Sequence, residues 1–305
     1  MQKFSNRNYL KAFFLASFAG ALWSFGALIV RYMEAAQSYQ WQYLFFRGLT
    51  IAIIILIYLT AREGLAFINH FKRIGFAGFL GAVGLVTAMT GYILSITLTT
   101  VANTLFMLAA APFIAAFLGI LLLREKVRYS TWAAMIIALL GIVVMVLEGL
   151  GAGSFLGNLF ALMAAAGFAV FSVSLRWRRE TPQFATIALA GMLCVLFTLL
   201  MLFYRSETLA MPFRNVYLSV LHGLVVGFGL ILFSFSAKFL PAAELTLLSL
   251  VEVIGGVLWV YLPILGIHEI PSLPTVAGGI IVLGAIVLDG VGVGQHSQIS
   301  PESPF

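Results

Sequence analysis

The chain has 305 residues, of which 62% are hydrophobic and 9% charged, with a formal net charge of +6. A soluble domain carries roughly 25% charged residues, so a water-facing surface is excluded and the solvent for most of this chain is a bilayer. One cysteine (Cys194) and four scattered histidines (His70, His222, His268 and His296) leave no disulfide framework and no metal-ligand spacing of the HExxH kind.

A spanning helix needs roughly 20 apolar residues, and the apolar runs predict ten of them. The first, 12–30, follows Lys3, Arg7 and Lys11 and contains Ala19–Gly20–Ala21, which imitates a cleavable signal. The apolar run continues to Val30, which favours a retained helix. The second, 41–60, carries Arg47 within it, with Tyr39, Trp41 and Tyr43 placed to form an outer aromatic belt. The stretch 74–123 holds no charge and is too long for one span; the polar patch Ser95–Thr100 divides it into spans 74–94 and 99–122. Spans follow at 131–147, 155–175, 183–203, 216–236, 242–264 and 272–289. Gly75, Gly78, Gly81 and Gly84 in the third span, and Gly223, Gly227 and Gly229 in the eighth, suit close helix crossings or sliding surfaces. No GK[ST] follows either set, so neither is a nucleotide loop. Residues 291–305 are polar with Gly and Pro, which predicts a disordered tail.

Basic residues mark the cytoplasmic side. With the N-terminus inside, the inner segments carry 13 of the Lys and Arg residues and the outer loops carry 3 (Arg31, Arg205 and Arg214), Arg47 lying within a span. The expectation is an all-α polytopic protein of the cell's inner membrane with both termini cytoplasmic.

The chain also echoes itself. Phe18–Tyr32 resembles Met163–Trp177, setting Trp23 against Phe168 and Arg31 against Arg176. The fourth span echoes the ninth, with Asn103–Thr104 opposite Ala243–Glu244, Pro112 opposite Glu252 and Glu125 opposite Glu269. Five spans per half is an odd number, so the halves enter the membrane from opposite faces. Such inverted repeats place a transporter's binding site near the midplane between them. The predicted organisation is a short cytoplasmic segment (1–11), a first five-helix repeat (12–149), a second (150–290) and the tail (291–305).

The segments LAAAPFIAAFLGILLLREKVRYSTWAAMIIALLGIVVMV and LLSLVEVIGGVLWVYLPILGIHEIPSLPTVAGGIIVLGAIVL each read as a helix with a mid-span Pro or Glu, a short acidic turn and a Gly-rich final helix. With FFRG around Arg47, they resemble the drug/metabolite transporter superfamily, in its ten-helix EamA type. The resemblance covers about residues 10 to 290. The chain departs from the pattern with REK where GEK is usual, GIHE for GE, and Val253 where proline is common. The resemblance implies transport of small metabolites, usually outward, with no covalent chemistry and no cofactor.

Glu252 lies ten residues into the ninth span, about 15 Å deep at 1.5 Å per residue. A carboxylate there rarely faces lipid. It reads either as a substrate or proton site, or as a neutral or paired tie between helices. Glu244, two turns earlier, is shallower and suits a mouth or gate. Arg47 sits about 9 Å in from the outer end. It reads as an anion ligand, or as a partner for Glu148 or Glu252, or as an interface anchor by snorkelling. Asn103 and Thr104 suit a helix-to-helix hydrogen bond or a ligand contact. Trp23 and Trp259 suit a cavity wall or plain packing, each indole needing a partner for its N–H.

These residues point to a secondary transporter, a monomer or homodimer, moving a small metabolite (amino acid, amine or nucleoside-like) by alternating access. Proton or exchange coupling stays open, and nucleic acid has no place. The rival readings are a non-transporting scaffold or sensor, and an intramembrane lipid-modifying enzyme. The latter needs a nucleophile with its base, and no paired arrangement accompanies His222, the histidine that falls in a span.

Overall fold

The computed structural model describes residues 6–99, 101–146, 155–177, 183–261 and 273–298, and is helical with no strand among them. In chain order the helices are α1 (Asn6–Trp23), α2 (Phe25–Arg31), α3 (Gln40–Glu63), α4 (Ile68–Lys72), α5 (Gly75–Leu98), α6 (Val101–Leu108) and α7 (Ala111–Leu123). They continue with α8 (Tyr129–Val146), α9 (Phe155–Trp177), α10 (Gln183–Tyr204), α11 (Phe213–Ser236), α12 (Ala242–Leu248), α13 (Val251–Tyr261) and α14 (Leu273–Gln298).

Among the described residues, six helical stretches are long and apolar enough to cross a membrane: Asn8–Arg31, Gln40–Lys72, Gly75–Leu98, Phe155–Trp177, Gln183–Tyr204 and Phe213–Ser236. The fourth and ninth predicted spans are each interrupted. Leu108 and Leu248, 140 positions apart, end the first pieces, and Ala111 and Val251, again 140 apart, begin the second. Pro112 explains the first interruption: it lies in the opening turn of α7, where its missing N–H costs nothing, and it forbids a continuous helix from α6. The second has no proline. Instead Ser249 turns its hydroxyl back to the Thr246 carbonyl at 2.7 Å, and tight backbone bonds join Leu250 to Leu247 and Glu252 to Ser249.

The last helix runs on to Gln298, so the segment expected to be disordered from 291 is helical up to that point. A helix already nucleated by packing against α8 propagates cheaply, and no proline stops it before Pro301.

The core joins the N-terminal and C-terminal parts of the chain. α5 packs along α9, α1 along α11, α3 along α10 and α11, α7 along α12, and α8 along α14. At Gly84 a Cβ would stand 2.8 Å from the Gly167 carbonyl oxygen, so α5 and α9 cross backbone to backbone. Gly223 meets α3 in the same way, where a Cβ would lie 2.9 Å from the Arg47 carbonyl oxygen. Small residues permit this contact where lipid supplies no hydrophobic drive between helices. Gly75, by contrast, opens α5 at φ +60 with nothing close to it.

Polar contacts collect at the two ends of the bundle. At one end Glu34 exchanges backbone hydrogen bonds with the Asn215 amide at 2.9 Å each way, Gln42 donates to the Thr208 carbonyl at 3.0 Å, and Gln40 donates to the Thr97 hydroxyl at 2.5 Å. At the other end Arg176 pairs with Glu125 and donates to the Ala237 and Leu240 carbonyls, while Arg128 pairs with Glu244 and Asp289.

Arg124 ends α7 at φ 54, ψ 32, and the Glu125 N–H closes back on the Gly119 carbonyl at 3.1 Å. This left-handed cap is where glycine is favoured, which accounts physically for the GEK pattern from which REK departs.

Candidate functional site

A cavity with about 730 Å³ of empty space, its open mouth included, lies where both helix interruptions meet the cross-packed helices. Leu108 and Ala111 flank it from the first break, and Ser249, Leu250, Glu252 and Val253 from the second. Interrupted helices free backbone groups and turn helix ends inward. Glu252 stands in the first turn of α13, where the N-terminal end of the helix dipole favours a negative charge.

Arg47 enters from α3. Tyr43, Arg47 and Ile51 recur at four-residue spacing on the helix face that is buried, so the guanidinium points into the protein and does not snorkel. Its Cζ lies 5.9 Å from the centroid of the Tyr92 ring, a cation–π contact. Among the described residues, its Nε and Nη1 are buried without a hydrogen-bond partner, and so is the Tyr92 hydroxyl. Arg47 and Glu252 share the cavity without forming a direct ion pair among the described residues. Two unused guanidinium donors and a carboxyl group thus line one cavity, an arrangement able to receive a polar ligand.

His222 of α11 completes this polar end. Its Nδ1 lies 3.0 Å from the Tyr43 hydroxyl, and its Nε2 lies against Gly26, where a Cβ would approach to 2.7 Å. Tyr43 therefore does not join the outer aromatic belt, as its position near the span's end predicted. It is fully buried because the inward face of α3 begins there. None of His222, Tyr92 and Tyr43 was assigned to the binding site from the sequence. The available signal was a histidine and a tyrosine inside otherwise apolar spans.

The opposite wall is apolar. Trp23 donates its indole N–H to the Val226 carbonyl at 3.3 Å and packs on Phe168 and Phe233 with ring centroids 5.5 and 5.3 Å away. Leu85, Met89, Leu105 and Leu230 fill the remaining surface. Ala115, Ala169, Val173 and Ala242 form a separate small apolar cluster among α7, α9 and α12.

Of the residues singled out, Glu252, Arg47 and Trp23 come together here. Trp259 does not line the cavity: it donates to the Ser24 hydroxyl at 2.7 Å and stacks on Phe25 at 4.4 Å. Glu244 stands apart in the ion-pair group with Arg128 and Asp289. Thr104 and Ser95 share a hydroxyl hydrogen bond of 2.8 Å between α6 and α5. The Asn103 side chain, Glu148, His268 and Glu269 lie outside the described residues.

Residues 10–147 match the family model of the EamA-like transporter family. That segment is an EamA-like transporter domain. Through that segment, and through its six apolar helices of membrane-crossing length, the chain is similar to multi-pass membrane transporters of the drug/metabolite type. One crystal structure of a protein is similar to this EamA-type chain with a TM-score of 0.72, over 95% of this chain and 99% of that one, at 20% identity. At that identity the likeness concerns the fold, and it extends the shared architecture well past residue 147. No curated protein matches the EamA-type chain in sequence.

Proposed function

We propose that this EamA-type chain is a secondary transporter that carries a small zwitterionic or cationic metabolite across the inner membrane by alternating access. Amino acids and amines fall in that class, and nucleoside-like compounds are the uncharged alternative. The observation that carries the reading is the buried, unpartnered Nε and Nη1 of Arg47 facing the same cavity as Glu252. Arg47 receives a carboxylate or other anionic group, Glu252 an amine or a proton, and Trp23 with Phe168 supports the apolar body. A scaffold or sensor has no use for an unsatisfied guanidinium beside a hollow, and a lipid-modifying enzyme needs a nucleophile that these groups do not supply.

The architecture proposed is ten crossings in two inverted five-helix halves with both termini cytoplasmic. The matched interruptions of the fourth and ninth crossings support it. So does the packing, in which α5 with α9 and α11 with α1 exchange roles between the halves. The two ends of the bundle agree as well: residues 34–42, 97 and 208–215 gather at one and 125–128, 176, 237–244 and 289 at the other, as alternate crossings require.

Counterflow in proteoliposomes against a panel of labelled amino acids, amines and nucleosides tests the transport. Exchange of at least one compound is expected, with thermal stabilisation of the purified protein by the same compound. No exchange and no stabilisation across the panel would end this reading. In the same assay Glu252→Gln is expected to flatten the dependence of exchange on pH; an unchanged profile removes Glu252 from coupling.

A further inference from the structure

Away from the cavity, the bundle holds a second group of buried ionisable side chains that the transport site does not use. Arg128, just before α8, donates through Nη2 to Glu244 Oε1 at 2.9 Å and to Asp289 Oδ1 at 3.3 Å. Glu244 is 1% exposed and Asp289 0%. Thr131 donates to Asp289 Oδ1 at 2.8 Å. The second oxygens, Glu244 Oε2 and Asp289 Oδ2, are buried without a partner.

The surroundings leave the charges unbalanced. Tyr9 of α1 lies with its ring 6.0 Å from the Arg128 Cζ. On the far side of the α12 N-terminus, Glu125 accepts from the Ala242 N–H at 3.1 Å and is itself neutralised by Arg176. Glu252 is two turns further along, in the cavity. Among the described residues, Arg128 is the cation paired with both interior acids. Two ionised carboxylates on one guanidinium leave a buried net negative charge, which like-charge repulsion opposes. The same Arg128 Nη2 reaches both carboxyl groups, at 2.9 and 3.3 Å, so the two acids stand close together. One proton on the pair removes the repulsion and still leaves one anion for Arg128.

We infer that Glu244 and Asp289 share one proton and, with Arg128, form a proton-operated latch that holds this end of the transporter shut. Arg128 leads into α8, which packs closely along α14 and its Asp289, while Glu244 stands on α12, so the latch ties α12 to the α8–α14 pair. With the proton bound, the three groups sum to zero charge and the contact is stable. When the proton leaves to solvent past Arg128, which is about one-quarter exposed (26%), two anions face each other and the tie weakens. The closed state binds more protons than the open one, so closure is favoured as pH falls and opening as pH rises. The inference rests on the alternating-access reading but locates a proton site separate from Glu252.

The test needs no substrate. In a Cys194→Ala background, Lys126→Cys and Lys238→Cys place spin labels on exposed positions in the segments that lead into α8 and α12. Double electron–electron resonance on the full chain is expected to give one short distance at acid pH and an added longer population at alkaline pH. Asp289→Asn, which keeps a hydrogen bond but cannot ionise, is expected to hold the short distance at both, and Glu244→Gln likewise. Arg128→Ala is expected to show the long population at both. A pH response in Asp289→Asn equal to that of the parent, or a parent with none, overturns the latch. If either variant folds poorly, the other carries the test. Failure of the counterflow assay with this response intact would remove the transport reading and leave the latch, and the reverse result would do the opposite.

Discussion

Trp23 and Phe168, set opposite one another by the internal sequence echo, meet ring to ring at 5.5 Å with their planes crossed at 84°. The edge-to-face geometry is the favoured one for aromatic pairs. Trp23→Ala removes this contact and that with Phe233 and is expected to destabilise the protein by about 3–5 kcal/mol. Trp23→Phe keeps a ring and should lose less than half of that. Thermal unfolding in detergent, followed by size-exclusion chromatography, reads both.

Arg47→Lys keeps the charge but loses the planar fork. Lys offers a point charge where Arg offers two parallel donors. Binding of a substrate found in the counterflow screen is expected to weaken by roughly tenfold or more, as befits a charge-assisted hydrogen bond worth about 1.5–3 kcal/mol. Fold stability should change little. Affinity unchanged in the lysine variant would show that the guanidinium does not receive the anionic group.

Glu125 serves two groups at once, the Arg176 guanidinium and the first N–H of α12. Glu125→Ala strands a partly buried cation and is expected to cost about 3 kcal/mol. Adding Arg176→Leu should recover part of the loss, since the stranded charge goes with it. A double-mutant cycle on unfolding midpoints measures the coupling.

Arg124 holds a left-handed backbone at φ 54 that a Cβ disfavours. Arg124→Gly is expected to stabilise the chain by about 1 kcal/mol, the ordinary cost of a side chain in that conformation. A rise in the thermal midpoint with unchanged exchange activity is the predicted outcome.

The membrane class, the helical fold and the ends of most helices were legible because apolar runs of bilayer length carry that information directly. Glu252 and Arg47 were legible for a related reason: a charge within such a run is costly and draws notice. Tyr43 was misplaced because depth along a helix is easy to count, while which way a residue faces depends on a neighbour. Asp289 escaped because it closes the last apolar run, where a carboxylate passes for an ordinary boundary. Its partner Arg128 likewise looked like one more inner-side positive charge. The proline in the first helix interruption could be seen, but the second has none, and only the repeat alignment of Pro112 with Glu252 pointed to it.

The backbone contact of Gly84 with Gly167 bears on how such a protein moves. Helices meshed that tightly travel as one piece, yet α5 comes from one half of the chain and α9 from the other. The same holds for α1 and α11. In the proposed cycle the blocks that swing would therefore be hybrids of the two proposed halves, and the hinge lines would not follow the boundary between them.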